Sequence, residues 1–149
     1  MEWKLKTFDE LTVDELYSIL QARVDVFVVE QECAYRELDD HDRVAFHLYA
    51  VDAGKLAGYA RILPPGSAYR ELSIGRVLIR KEYRRKGLAK ELMKRALRFI
   101  QQQTTVDCVK VQAQEYLLSF YGSFGFQPVS EVYMDEGIPH VDMILQLDD

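Results

Sequence analysis

The stretch Arg84-Arg85-Lys86-Gly87-Leu88-Ala89-Lys90 sets four cations around one glycine, where an apolar run gives way to an amphipathic one. The first N–H groups of a helix have no backbone acceptor, and the positive end of the helix dipole points the same way. Such a terminus attracts an anion, phosphate above all. Gly87 lets the backbone come close to that anion and adopt a positive φ. The spacing is neither GxxxxGKS/T nor GxGxxG, so neither a Walker loop nor a dinucleotide fingerprint is present. Charge is polarised along the chain. From Arg80 to Arg98 nine Lys or Arg stand against two Glu, whereas Glu30 to Asp42 holds six acids and the single Arg36, within a net charge of −5. One positive pole and one negative stretch suggest an anionic ligand in one place and a cationic one in another. Two solvated faces would leave the same pattern.

The elements that position these groups follow from periodicity. A chain of 149 residues with 48% hydrophobic content is one ordinary domain, here 1–149, able to bury a core without disulfides or metal. WKLKTF alternates as a strand. LTVDELYSILQARVDVF sets Leu16, Ile19, Leu20, Val24 and Phe27 at helical spacing, with Thr12 and Glu15 as a capping box and Leu11 and Leu16 as its hydrophobic staple. AFHLYAVDAGKLAGYARIL predicts a hairpin turning at Ala53-Gly54, and ELSIGRVLI a third strand. A helix from about Gly87 carries Leu88, Leu92, Met93, Ala96, Leu97 and Ile100 on one face, and VDCVKVQAQ follows as a strand, so the three form a right-handed crossover. EYLLSFYGSFGF reads as a short helix closed by Gly125, and FQPVSEVYMD and HVDMILQL as two more strands. The sum is a mixed α/β domain with one central sheet.

No apolar run has signal-peptide or membrane-span length, which predicts a cytoplasmic protein with no membrane partner. Cys33 and Cys108 lack metal-ligand spacing, so they read as buried or incidental thiols and no metal is expected. The cations from Arg80 to Arg98 come without a recognition motif or interleaved aromatics, which argues against nucleic acid.

RRKGLA, Arg84 to Ala89, matches the Q/R-x-x-G-x-G/A signature of the GNAT (GCN5-related) N-acetyltransferases. It follows a strand, opens a helix and is succeeded by FYGSFGF, which resembles that family's FYxxxGF element. The resemblance spans the chain. FVVEQ, YARIL, IGRV and EVYMDEGIPH further resemble the ElaA-type branch. It implies the GNAT (acyl-CoA N-acyltransferase) fold, with acetyl-CoA or coenzyme A as cosubstrate. It also implies that Arg84, Arg85, Lys86, Gly87, Leu88, Ala89 and Lys90 bind the pyrophosphate, largely through backbone N–H groups. Val77, Leu78 and Ile79 would pair with the pantetheine amides, one of their N–H groups polarising the thioester carbonyl.

Tyr121 stands four residues before Gly125, where the family often carries a tyrosine beside the departing sulfur, and is the expected general acid. Glu30, on a segment the resemblance puts beside the acceptor, and His140, after Gly137-Ile138-Pro139, are the candidate bases. For each a structural role stands beside the catalytic one. His47 reads as a structural histidine, Arg61 and Arg76 as strand cations that pair with carboxylates across the sheet or point to an anion of the acceptor, and Gln112 and Gln114 as cleft-lining or helix-capping residues. The expected activity is transfer of acetyl from acetyl-CoA to a primary amine by direct attack in a ternary complex. The acidic stretch suggests a cationic acceptor. A homodimer is compatible with the sequence. The rival is a non-catalytic coenzyme A-binding sensor or partner subunit on the same fold.

Overall fold

The structure, a computed structural model, describes residues 1–103 and 106–147. Eight strands form one sheet: β1 (Glu2–Thr7), β2 (Phe46–Asp52), β3 (Lys55–Leu63), β4 (Leu72–Ile79), β5 (Cys108–Gln114), β6 (Gln127–Pro128), β7 (Tyr133–Asp135) and β8 (Ile138–Gln146). Their order is β1-β2-β3-β4-β5-β8-β6, with β7 also on β8. The helices are α1 (Val13–Arg23), α2 (Leu88–Gln103) and α3 (Leu118–Gly122). The capping box forms as the spacing predicts: the Thr12 hydroxyl accepts from the Glu15 amide at 3.1 Å, and Glu15 takes the Thr12 amide at 2.9 Å. The β2–β3 hairpin turns at Ala53 and Gly54, both at positive φ, as a two-residue connection between twisted strands requires.

The sheet is covered on both faces. Leu48, Ala60, Ile62 and Ile74 meet Leu92, Met93, Ala96 and Ile100 of α2, while Tyr49, Tyr59 and Leu78 meet Ile19, Ala22 and Val26 of the α1 segment. Each large side chain so buried contributes about 1.5–3 kcal/mol. Beyond Arg23 the helix does not end but widens into a π-helical turn, Val24–Glu30, closed by the Cys33 amide on the Val28 carbonyl at 3.0 Å. The wider turn swings Phe27, Glu30 and Gln31 toward the middle of the sheet edge, and π-turns often mark functional sites.

Two features depart from the sequence reading. The run FQPVSEVYMD is not one strand but two, β6 and β7, laid along the same edge of β8. Between them Ser130 Oγ accepts the Asp142 amide at 2.9 Å, so a side chain replaces the ladder partner and the strand bulges outward. The second departure is Arg23, a fully buried cation on the core side of α1.

Arg23 is held by a compact ionic network. Its Nε lies 2.5 Å from Glu37 Oε2, and its Nη1 lies 2.6 Å from Asp42 Oδ1. Arg61 grips Asp39 with two parallel bonds of 2.8 Å and reaches Asp42 at 3.0 Å; Arg76 joins Glu37 at 2.8 Å. Three guanidinium groups meet three carboxylates, so the cluster is neutral. Removing one member strands a charge in the interior, at a cost of about 3–5 kcal/mol. His47 is built into the same layer. Its Nε2 donates to the Asp42 carbonyl at 3.0 Å and its Nδ1 accepts from the Tyr59 hydroxyl at 2.6 Å, which fixes the neutral ring. Burial pushes its pKa down, against the opposing pull of the Asp42 carbonyl. The structural readings of His47, Arg61 and Arg76 therefore hold.

Candidate active site

β4 and β5 pair in parallel only at Leu72 with Val109 and Ser73 with Lys110; beyond Ser73 the two strands part. Just there β4 bulges. Arg76 and Val77 together oppose Ala60 of β3, and Arg76 takes a φ of 50°, a left-handed conformation that costs an arginine of order 1 kcal/mol. From the bulge onward, Val77, Leu78 and Ile79 line a cavity of about 400 Å³ together with Glu30, Ala89 and Tyr121. The parting gives β4 an edge with no strand beside it, able to accept hydrogen bonding from an extended ligand.

At the far end of that edge the chain turns into α2. Arg85 and Gly87 both have positive φ, 65° and 78°. The first α2 bond is from the Glu91 amide to the Gly87 carbonyl at 3.2 Å, so the amides from Arg85 to Lys90 find no acceptor among the described residues. Left-handed residues bracketing free N–H groups make a concave anion nest at the positive end of the sixteen-residue α2. Open space surrounds the position a Cβ would take at Gly87, which leaves room for the anion. The cations are not equivalent. Arg84 turns away, its Nε on the Ile79 carbonyl at 2.8 Å and its Nη2 on Glu30 at 2.8 Å, and Arg80 pairs with Asp25 at 2.6 Å. These two fasten the loop to the π-turn. The groups present thus fit a diphosphate bound mainly by main chain.

Tyr121, on α3, stands where the 400 Å³ cavity meets a second one of about 380 Å³; both are lined by Phe27, Gln31, Val77, Gln114, Leu117 and Tyr121. Its ring is buried against Phe120 and Phe126, and its hydroxyl has no hydrogen-bond partner among the described residues. Burial pushes the phenol well above its ordinary value, so it stays protonated and available to donate.

The second cavity lies over a polar strip of sheet. Residues opposed across a ladder share a face, so Gln112 with Asp142, Gln114 with His140 and Tyr133 with His140 present one polar surface, while Val109, Val111, Ala113, Val141 and Met143 face the core. On it Tyr69 donates to Gln112 at 2.7 Å, and Gln112 donates to Asp135 at 3.0 Å. Gln31 and Gln114 exchange two amide bonds of 3.3 Å across the boundary between the cavities. Of the open roles for Gln112 and Gln114, cleft-lining is the one seen. His140 Nδ1 is 2.7 Å from the Ile138 carbonyl; a carbonyl only accepts, so Nδ1 carries the proton and Nε2 of the neutral ring is a free base. His140 lines this second cavity. Glu30 does not: it lines the other one, exposed and paired with Arg84.

The acidic run from Glu30 to Asp42 does not supply a free anionic wall. Glu37 and Asp42 are buried in the network around Arg23, and Asp39 is shared by Arg61 and Arg76, whose pull outweighs burial and lowers its pKa to about 2. A cationic acceptor therefore loses the argument that charge counting gave it. Two site residues that sequence reading misses are Tyr69, in the loop before β4, and Asp135, the last residue of β7. Only their partner Gln112 carried a signal, the polar alternation of CVKVQAQ. Cys33 also lines this cavity, its thiol donating to the Glu136 carbonyl at 3.3 Å, with no histidine partner; Cys108 is likewise unbridged.

A family model described as an acetyltransferase (GNAT) domain matches residues 11–147. A UPF0039 protein of Schizosaccharomyces pombe is 40% identical, the alignment covering 99% of this chain and 98% of that one. Protein ElaA of Escherichia coli is 38% identical over 96% and 95% of the two chains, and its crystal structure superposes with a TM-score of 0.90. The crystal structure of an acyl-CoA N-acyltransferase from Pseudomonas aeruginosa is similar at 40% identity, covering 97% of this chain and 98% of that one, with a TM-score of 0.92. The parted strands, the amide nest ahead of α2 and these matches along nearly the whole chain lead to one assignment: the protein belongs to the GNAT acetyltransferase family, in its ElaA branch, and has the acyl-CoA N-acyltransferase fold.

Proposed function

We propose that the protein transfers acetyl from acetyl-CoA to a primary amine by direct attack within a ternary complex. The observation that carries this reading is the junction at Tyr121, where a cavity running from the free β4 edge to the amide nest meets a separate polar cavity. An acyl donor and an acceptor entering from the two sides would meet beside one buried phenol.

Acetyl-CoA supplies the activated acyl group as a thioester. The amides from Arg85 to Lys90 hold its diphosphate, and the β4 edge at Val77, Leu78 and Ile79 holds the pantetheine, a backbone N–H there polarising the thioester carbonyl. His140 Nε2 takes the proton that the acceptor ammonium must lose before nitrogen can attack. As the new C–N bond forms and the C–S bond breaks, Tyr121 gives its phenolic proton to the departing sulfur, and the second proton shed by the attacking nitrogen passes to solvent, from which the phenolate is reprotonated. The burial that raises the phenol raises a thiolate formed beside it too, so the two stay matched. The Cys33 thiol donates to the Glu136 carbonyl and has no base beside it among the described residues to make it a nucleophile, which supports direct transfer.

The test is a panel of primary amines with acetyl-CoA, followed by free-thiol release, with calorimetry of coenzyme A beside it. Saturable binding with amine-dependent thiol release supports an enzyme; tight binding without release from any amine supports the sensor on the same fold. Absence of coenzyme A binding by folded protein overturns the reading.

A further inference from the structure

The second cavity carries a charge pattern that says what enters it. The six-membered network cancels, Arg23, Arg61 and Arg76 against Glu37, Asp39 and Asp42. Three charged side chains of the lining remain without an ion pair among the described residues: Arg36, from the loop after the π-turn, Asp135, at the end of β7, and Glu136, in the turn that follows. Arg61, 4% exposed on the same wall, has Nη1 and Nη2 taken by Asp39 and Asp42 and its Nε buried, so it offers the cavity no free donor.

A polycation would meet Asp135 and Glu136 favourably but would bring like charge to Arg36. An apolar amine would leave all three charges without a partner. One chemical class answers both sets of groups.

We infer that the acceptor is a small molecule of amino-acid type, carrying its own carboxylate beside the amine: the carboxylate is taken by Arg36, and the ammonium by Asp135 and Glu136. This rests on the acetyltransferase reading and specifies its substrate class. About 380 Å³ is the scale of a small-molecule site. Asp135 lines the cavity and holds one carboxylate oxygen on Gln112, its other oxygen having no hydrogen-bond partner among the described residues. His140 lines the same space and would receive the ammonium's proton.

The experiment uses matched pairs differing by one carboxylate: lysine with cadaverine, and phenylalanine with phenethylamine. Each is titrated calorimetrically into the protein–coenzyme A complex and assayed with acetyl-CoA by thiol release. A charge-assisted, guanidinium-bound carboxylate should make the amino-acid member of at least one pair bind roughly tenfold or more tightly. In Arg36→Ala, an exposed position whose variant can be confirmed folded by its melting temperature, that ratio should fall toward one, with Arg36→Lys between. Equal or reversed preference in both pairs, or a preference undiminished in Arg36→Ala, overturns the inference. Discrimination in binding without turnover of any amine would instead strike the acetyl-transfer reading and leave the ligand class standing.

Discussion

Arg84 joins two separate pieces of the molecule: its Nε holds the Ile79 carbonyl at the end of β4, and its Nη2 holds Glu30 at the end of the π-turn, each at 2.8 Å. The pair is about a third exposed on each side, so its worth to stability is at most about 1 kcal/mol. Its value lies in fixing the mouth of the β4 cavity. Glu30→Gln should therefore weaken coenzyme A binding a few-fold while leaving kcat within roughly threefold. Steady-state kinetics with both substrates varied check this, and a kcat loss of about a hundredfold would return Glu30 to the role of base.

Tyr121→Phe removes a hydroxyl that has no hydrogen-bond partner among the described residues, so the melting temperature should hardly move. Loss of a general acid should cut kcat by about 10²-fold or more while coenzyme A affinity stays within twofold. Parallel loss of both would mean that the phenol shapes the cavity and does no proton transfer.

His140→Gln keeps a side chain able to donate to the Ile138 carbonyl but offers no base. The acidic limb of the kcat/KM profile against pH, which reports protonation of a base in the free enzyme, should disappear along with about 10²-fold of the rate. A limb that persists unchanged assigns the proton to another group.

The buried layer around His47 predicts sensitivity to acid. Its folded pKa is depressed, so the unfolded chain binds the proton first; stability is complete above roughly pH 6.5 and is lost as pH falls below it. Asp39, lowered to about 2, adds a second loss that starts only below about pH 3.9. Melting temperature should fall from about pH 7 to 5 in the parent protein. His47→Gln should begin lower and run flat over that window. Parallel curves would place the acid sensitivity elsewhere.

Much of the fold was legible where a local rule and the tertiary answer agree. Thr12 with Glu15, Ala53 with Gly54, and the spacing of Leu92, Met93, Ala96 and Ile100 each specify an element within a few residues. Arg23 shows where such reading stops. It occupies a core position of α1, and the carboxylates that make this tolerable lie 14 and 19 residues downstream, so nothing near it in sequence announces burial. The same long-range pairing explains why the acidic run misled: charges were countable, their partners were not. The break between β6 and β7 depends on one serine standing in for a backbone group, a substitution that propensity does not register. At the site, the glycine of the anion nest was readable from physics, whereas Tyr121 was singled out only through family likeness, since its neighbours are equally aromatic. Asp135 and Tyr69 acquire meaning only once Gln112 stands between them.

With only two rungs joining β4 to β5, the sheet is really two leaves clasped at one end. An extended ligand lying lengthwise in the gap would become a temporary ninth strand, lending the leaves the crossbars their own chains do not supply. The donor would then be mortar as well as reagent, and each turnover, on releasing the spent thiol, would loosen the very architecture that had aligned the reaction.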